Sequence, residues 1–413
     1  MPISRRAIVL AFGFLLACAP AARCLLPAAD ANKPPVDDIS SLLAESVQKH
    51  KLPGMSAAIV ENGHITAIGA TGVRRRGYKE PFTSDDLVHI GSDTKSMTAT
   101  LIAILVEEGR LRWDSTPAEV LAGAVKKIDP AWKRVTLEEL LTHRGGVRPN
   151  PAMITILGAL ALSPREQRLR VCRAVLSEPP EHEPGKDYSY SNTGYAIAGA
   201  MAEAVANDSW ENLLLSRVCK PLGMEHVGFG APGAPPAKSK KGTASSSAIP
   251  ITQPWGHLSD GEAVRPGPSA DNAPSIGPAG RVHLTLADWA RYATLHLSEG
   301  RAGQGDAHRT GAKPLLSVAS LRKLHTPVGD AIDPSGIKYA MGWGVLKLPE
   351  GSGLELTHSG SNTMWYAVIS LRMAENRAIL IATNQGGVSA AIACAEVEAA
   401  LVRRLKSAHP AHK

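Results

Sequence analysis

The sequence predicts an α+β fold, an antiparallel β-sheet flanked by N- and C-terminal helices with a mostly α-helical domain inserted between its two halves. Three observations lead there. Strand-like runs gather near the two ends of the 413-residue chain, whereas apolar residues in the middle recur at helical spacing. The late strand-like runs follow one another through short turn-rich links, which suits antiparallel neighbours.

The elements follow in order. "MPISRRAIVLAFGFLLACAPAARC" sets Arg5 and Arg6 ahead of an apolar core from Ala7 to about Ala17, then small residues. This is the layout of a secretory signal over 1–31, so export to a periplasmic or extracellular site is expected. The run is too short to span a bilayer comfortably, and no transmembrane segment is expected after processing. Leu15-Leu16-Ala17-Cys18 also resembles a bacterial lipoprotein cleavage box, which makes Cys18 a candidate lipid anchor.

Ile39, Leu42, Leu43 and Val47 then mark a helix that Pro53-Gly54 stops. Asn62-Gly63 joins two β runs as a hairpin. A short apolar strand from Leu87 to Ile90 feeds a long helix reaching about Glu108. These pieces, 36–108, form the sheet domain together with 281–413. The insert, 109–280, opens its "VTLEELLTH" helix with Thr136 and Glu139 in capping-box register and continues with the alanine-rich "NTGYAIAGAMAEAVAN". From Gly228 to Gly280 the chain is thick with Pro, Gly, Ser and Ala, which reads as a long loop bordering the cleft. After the helix opened by Thr285 come four β runs, "YAMGWGVLKL", "GLELTHSG", "MWYAVISLRM" and "RAILIATNQ", and a last amphipathic helix.

Composition excludes some functions. The net charge of +7 is mild for this length, and the basic cluster Lys238-Ser-Lys240-Lys241 lacks interleaved aromatics, so no nucleic-acid partner is expected. The fourteen histidines are scattered without an HExxH, so neither a metal nor another cofactor is expected. Cys172, Cys219 and Cys394 remain in any mature form; two can pair, and at least one should be free.

Chemistry concentrates in three places. S-x-x-K occurs four times, as Ser46/Lys49, Ser92/Lys95, Ser320/Lys323 and Ser335/Lys338. Only Ser92 sits between an apolar strand and the first turn of a long apolar helix, where free N–H groups favour a developing anion. Lys95, one turn on, lies on the same face. Burial would bring its pKa from ~10.4 to around 7–8, where an amine serves as a base. "DYSYSNTGY" then puts Tyr190 and Asn192 two residues apart just before a helix, in position to share one cleft. "LELTHSGSN" ends a strand with His358, Ser359, Gly360 and Ser361; the bare Gly360 lets a substrate approach the backbone, and the Ser361 amide is a candidate oxyanion donor beside that of Ser92.

A strand-fed S-x-x-K, then Y-S-N, then H-S-G before the last strands resembles the serine β-lactamase and DD-peptidase superfamily, most of all its class C-like branch of penicillin-binding carboxypeptidases and related esterases. "LLTHRGGV", "PAGRVHLTLADWARY" and "MGWGV" extend the likeness over nearly the whole mature chain. The resemblance implies that Ser92 attacks, Lys95 and Tyr190 shuttle its proton, and Asn192, His358, Ser359, Gly360 and Ser361 bind substrate. It implies an acyl-enzyme on a small-molecule ester or amide, or a peptidoglycan-type peptide. One departure matters: His358 stands where the β-lactamase pattern has lysine, which favours a peptidase or esterase over a class C-like β-lactamase. Arg144, inside the "LTHRGG" turn, has no counterpart in the pattern. Two rivals are an α/β-hydrolase built on Gly387-Val-Ser389-Ala-Ala391, with His409 or His412, and a non-catalytic binding or scaffold protein on the same fold.

Overall fold

The computed structural model describes residues 36–233, 250–298, 314–349 and 353–408. The signal segment, Cys18, the Lys238–Lys241 cluster, His409 and His412 lie outside them.

Eight strands make the main sheet: β1 (Asp37–Asp38), β2 (Gly54–Glu61), β3 (His64–Gly72), β9 (Lys338–Tyr339), β10 (Gly344–Lys347), β11 (Leu354–Ser361), β12 (Tyr366–Arg372) and β13 (Arg377–Thr383). Their order is β1-β3-β2-β13-β12-β11-β10-β9. All neighbours are antiparallel except the short β1, which runs parallel to β3. The N-terminal hairpin turns on Asn62 (φ 51°) and Gly63 (φ 84°), the pair of left-handed residues that a tight type I′ turn requires. It meets the C-terminal meander where β2 pairs β13, with Ile59 opposite Ile379.

Strand alternation gives each face of this sheet its own core. Ala57, Ile59, Ile379 and Ile381 pack on one side with Leu43, Cys394, Val397 and Leu401 from the terminal helices Ser40–His50 and Val388–Ala408. Ala58, Val60, Leu380 and Ala382 face the larger core, where Trp289 and Tyr292 of helix Leu286–Leu297 also lie. A second sheet of three strands, β4 (Val88–His89), β8 (Val282–Leu284) and β5 (Val227–Phe229), supports the chain leading to Ser92.

In the middle of the chain, the Thr136/Glu139 capping box is formed in full. The buried Arg168 guanidinium ties helix Pro164–Leu176 to Glu203 and Glu211, 2.5 and 2.6 Å away. The Gly228–Gly280 stretch differs from the long loop expected. Its described part holds β6 (Gly256–His257), β7 (Ala263–Val264), a 3₁₀ turn at Pro274–Ile276 and a helical turn at Gly277–Gly280. Tertiary hydrogen bonds order it, such as His257 Nδ1 to the Asn384 carbonyl at 2.6 Å; no periodic pattern marks such bonds in a sequence. The cysteine expectation is also narrowed. Cys172, Cys219 and Cys394 are all free and buried, and burial pushes the Cys172 and Cys219 thiols up to about 12. Among the described residues no helix is long and apolar enough to cross a membrane.

Candidate active site

Strand β4 delivers the chain to Gly91, whose φ of +50° turns it into a 3₁₀ turn, Gly91–Asp93, and then helix Thr94–Glu107. The end of β11 lies backbone to backbone against this turn. A Cβ on Gly91 would stand 2.3 Å from the Ser361 nitrogen, and one on Gly360 would stand 1.9 Å from the Ile90 carbonyl oxygen and 2.6 Å from the Ser92 nitrogen. Gly360 was expected to admit substrate; its bare Cα instead admits the protein's own Ile90–Ser92 backbone. The Ser92 and Ser361 amides are thereby neighbours.

Lys95 is fully buried. Its Nζ is 3.1 Å from Ser92 Oγ, 2.7 Å from Asn192 Oδ1 and 2.8 Å from the Ala279 carbonyl oxygen. A neutral amine has two N–H donors and one lone pair. With the amide oxygen and the carbonyl taking the donors, the lone pair is left for the Ser92 hydroxyl proton. Burial holds the Lys95 pKa well below the usual lysine value, against a smaller upward pull from Asp93.

Tyr190 engages Ser92 through its hydroxyl, and burial raises its phenol well above the usual tyrosine value. It is therefore a neutral donor at ordinary pH. Lys95 Nζ stands 4.6 Å from the centre of its ring. Asn192 supports the base. Oδ1 accepts from Lys95, and Nδ2 donates to Asn150 Oδ1 at 2.8 Å, so both ends of the amide serve the base and the rim. Asn192 is free to do this because Ser191 caps the helix, accepting from the Gly194 amide at 2.9 Å.

His358 is buried. Alternation along β11 turns His358 and Gly360 inward and leaves Ser359 and Ser361 exposed. The imidazole packs beside the turn that carries Ser92, with Nδ1 3.1 Å from Asp93 Oδ1 and 2.9 Å from the Ser359 carbonyl, and Nε2 3.0 Å from the Tyr339 hydroxyl. An Nδ1 beside a carbonyl oxygen must carry the proton, so Nε2 accepts from Tyr339. Burial drives the His358 pKa down to about 3 and raises that of Asp93 well above the carboxylate range. His358 thus contributes no positive charge for a substrate carboxylate.

Four contributors were not singled out from sequence. Asp93 was visible inside S-D-T-K, but nothing marked it as inward. Tyr339, the Ala279 carbonyl and His143 carried no signal. His143 adopts a left-handed φ of 61°; its Nδ1 accepts from the Ser191 amide at 3.0 Å, and its ring packs at a tilt against Tyr190 and Tyr339, 4.3 and 4.8 Å away between centres. Arg144 now has a physical account. Buried beside His143, it donates to the Lys186 and Val328 carbonyls at 2.7 and 3.1 Å, stapling the segment before Tyr190 to the loop before Tyr339. Removing it strands two carbonyls, so Arg144→Ala should destabilise the fold by about 2 kcal/mol, read as a lower urea midpoint with unchanged slope.

The model of the family described as Beta-lactamase matches residues 39–402. The chain belongs to the beta-lactamase family. Penicillin-binding protein 4 of Amycolatopsis lactamdurans is 31% identical over 298 residues, covering 72% of this chain and 71% of that protein. Protein flp of Staphylococcus aureus (strain MW2) is 27% identical over 192 residues, 46% of this chain but 38% of its own length. Two solved structures share the fold: the octameric penicillin-binding protein homologue of Pyrococcus abyssi (TM-score 0.68, 24% identity, 88% and 76% of the two chains) and a class C β-lactamase (TM-score 0.66, 18% identity, 87% and 94%). Membership removes the α/β-hydrolase rival, and the geometry agrees: the sheet is antiparallel apart from the two-residue β1, and Ser389 Oγ donates to the His50 carbonyl at 3.2 Å. Beta-lactamase-family and penicillin-binding relatives support a serine hydrolase superfamily for this chain.

Proposed function

We propose that this family member is an exported serine hydrolase that works through a Ser92 acyl-enzyme and prefers an ester to a β-lactam. The observation that carries the reading is the buried Lys95, with two acceptors on its N–H groups and Ser92 Oγ as its third neighbour. In the proposed reaction the Ser92 hydroxyl proton passes to Lys95 Nζ as Oγ bonds the substrate carbonyl carbon. The carbonyl oxygen becomes an oxyanion under the Ser92 and Ser361 amides. The leaving alcohol departs with a proton returned through Lys95 and the neutral Tyr190 hydroxyl. Water, deprotonated by the same pair, then releases the acid.

The ester preference rests on His358. A β-lactam or a D-Ala-D-Ala peptide carries a carboxylate, and the buried, neutral imidazole gives it no partner. Rates on a nitrophenyl ester, nitrocefin and a D-Ala-D-Ala peptide, measured side by side, test the ranking: the ester should be fastest, and nitrocefin turnover far above the ester's would overturn it. A fluorophosphonate or fluorescent penicillin label tests the scaffold alternative, which gains if no adduct forms.

The pH profile follows from which group titrates. The active form needs neutral Lys95, so kcat/KM should fall in acid as Lys95 gains its proton. His358, at about 3, stays neutral throughout that fall. The acid limb should therefore approach a tenfold loss per pH unit, the mark of one proton. A limb of slope two between pH 5 and 7, or a flat profile, would contradict this assignment.

A further inference from the structure

The segment 151–163, "PAMITILGALALS", carries no charge and leaves Met153, Ile154, Leu157, Leu160 and Leu162 between 39% and 78% exposed. Of the large apolar side chains exposed among the described residues, these five fall within ten positions. Its root is fastened to the candidate site. Ser191 Oγ donates to the Arg148 carbonyl at 2.6 Å, the Asn192 amide donates to the Pro149 carbonyl at 2.8 Å, and Asn192 Nδ2 donates to Asn150. The apolar ridge therefore starts at the side chain that holds Lys95.

We infer that this ridge docks the site on an anionic lipid surface, from which the enzyme takes esters with an apolar chain. The inference rests on the proposed esterase reading for its substrate, and on charge for its partner. Between Glu139 and Glu178 the chain has six arginines and one acid, Glu166. Arg168 is neutralised in the interior by Glu203 and Glu211, and Arg144 is buried under the turn. Arg148 is partly exposed and pairs with Glu181; Arg170 is exposed, its guanidinium lying over Gly158 in the middle of the ridge. Glu166 stays charged at a helix start, accepting from the Ser163 amide and hydroxyl at 3.0 and 2.7 Å. It is outnumbered by Arg170 together with Arg165, which donates to the neutral Glu203 carbonyl and Asn207 amide, and Arg173, which donates to the Ala124 carbonyl. An apolar ridge flanked by cations fits the boundary between acyl chains and acidic headgroups. A second copy of the chain fits poorly. The five residues expose on the order of 500 Å², below the roughly 800 Å² per partner of a stable interface, and a two-fold contact would bring like-charged arginines together.

The test is co-sedimentation of the full chain with vesicles of phosphatidylglycerol and phosphatidylcholine, compared with phosphatidylcholine alone. Wild type should bind the acidic vesicles, more weakly as salt rises. The triple variant Ile154→Ser, Leu157→Ser, Leu160→Ser should bind about tenfold or more weakly, and Arg170→Glu about fivefold. Hydrolysis of a long-chain nitrophenyl ester embedded in the vesicles should fall in parallel, while that of a short soluble ester stays unchanged, which also shows that the variants fold. Equal binding by wild type and the triple variant, no binding by wild type, or no difference between the two vesicles would overturn the inference. So would an oligomer that light scattering shows the triple variant to break. Vesicle binding lost in the triple variant while wild type hydrolyses no ester at all would keep the docking surface and remove the esterase reading instead.

Discussion

Replacing Ser92 with alanine should leave the fold intact and abolish both covalent labelling and ester turnover, a loss of about 10⁴-fold or more. The loss is expected to be this large because no second hydroxyl is held against Lys95 Nζ within the 3.1 Å that Ser92 Oγ occupies in the described structure. The three other S-x-x-K serines supply controls. Ser335 sits in a turn with its hydroxyl on Asp333 Oδ1 at 2.5 Å, Ser320 pairs with the cap Ser317 at 3.3 Å, and Ser46 is buried inside the first helix. Ser320→Ala and Ser335→Ala should retain wild-type rates. Lys95→Met should match Ser92→Ala in turnover while still folding, since a thioether replaces a buried amine at similar volume. Labelling of Ser92→Ala at the wild-type rate would remove Ser92 from the reaction.

Much of the fold was legible for local reasons. Asn62-Gly63 fixes a hairpin, Thr136 and Glu139 cap each other within four residues, and the C-terminal strands are separated by short turns. Ser92, Lys95, Tyr190 and Asn192 were legible because each stands next to an element boundary that gives its side chain a direction. What stayed hidden was parity and partnership. One face of β11 carries Leu356, His358 and Gly360 and the other Thr357, Ser359 and Ser361, so neither reads as a clear apolar stripe in "LTHSGS"; the pairing of His358 with the buried Ile369 on β12 places it inward. Nor does sequence bring Tyr339 to His358, because β9 reaches β11 only through β10. In "YSN" the cap and the site residue are adjacent, and both are good caps. Which one takes the helix N-terminus depends on the carbonyls of Arg148 and Pro149, about forty positions away.

The parity of β11 also sets the second large effect. Gly360→Ala should cost about 3 kcal/mol or more in stability and reduce ester turnover by about 10³-fold in the molecules that remain folded. The added methyl would meet the Ile90 oxygen at 1.9 Å and the Ser92 nitrogen at 2.6 Å. Both are backbone atoms, so no rotamer change relieves the contact, and either β11 or the Ser92 turn must move. A displacement of about 1 Å at a reacting group is worth roughly 10² in rate, and here it would also separate the Ser92 and Ser361 amides, each oxyanion donor being worth about 10²–10³. Ser359→Ala, one residue away on the exposed face, touches neither backbone and should change KM more than kcat. Measuring both variants at a temperature where Gly360→Ala is folded by circular dichroism separates misplacement from unfolding. If Gly360→Ala then hydrolyses the ester as fast as wild type, the close approach of the two backbones is not what aligns Ser92.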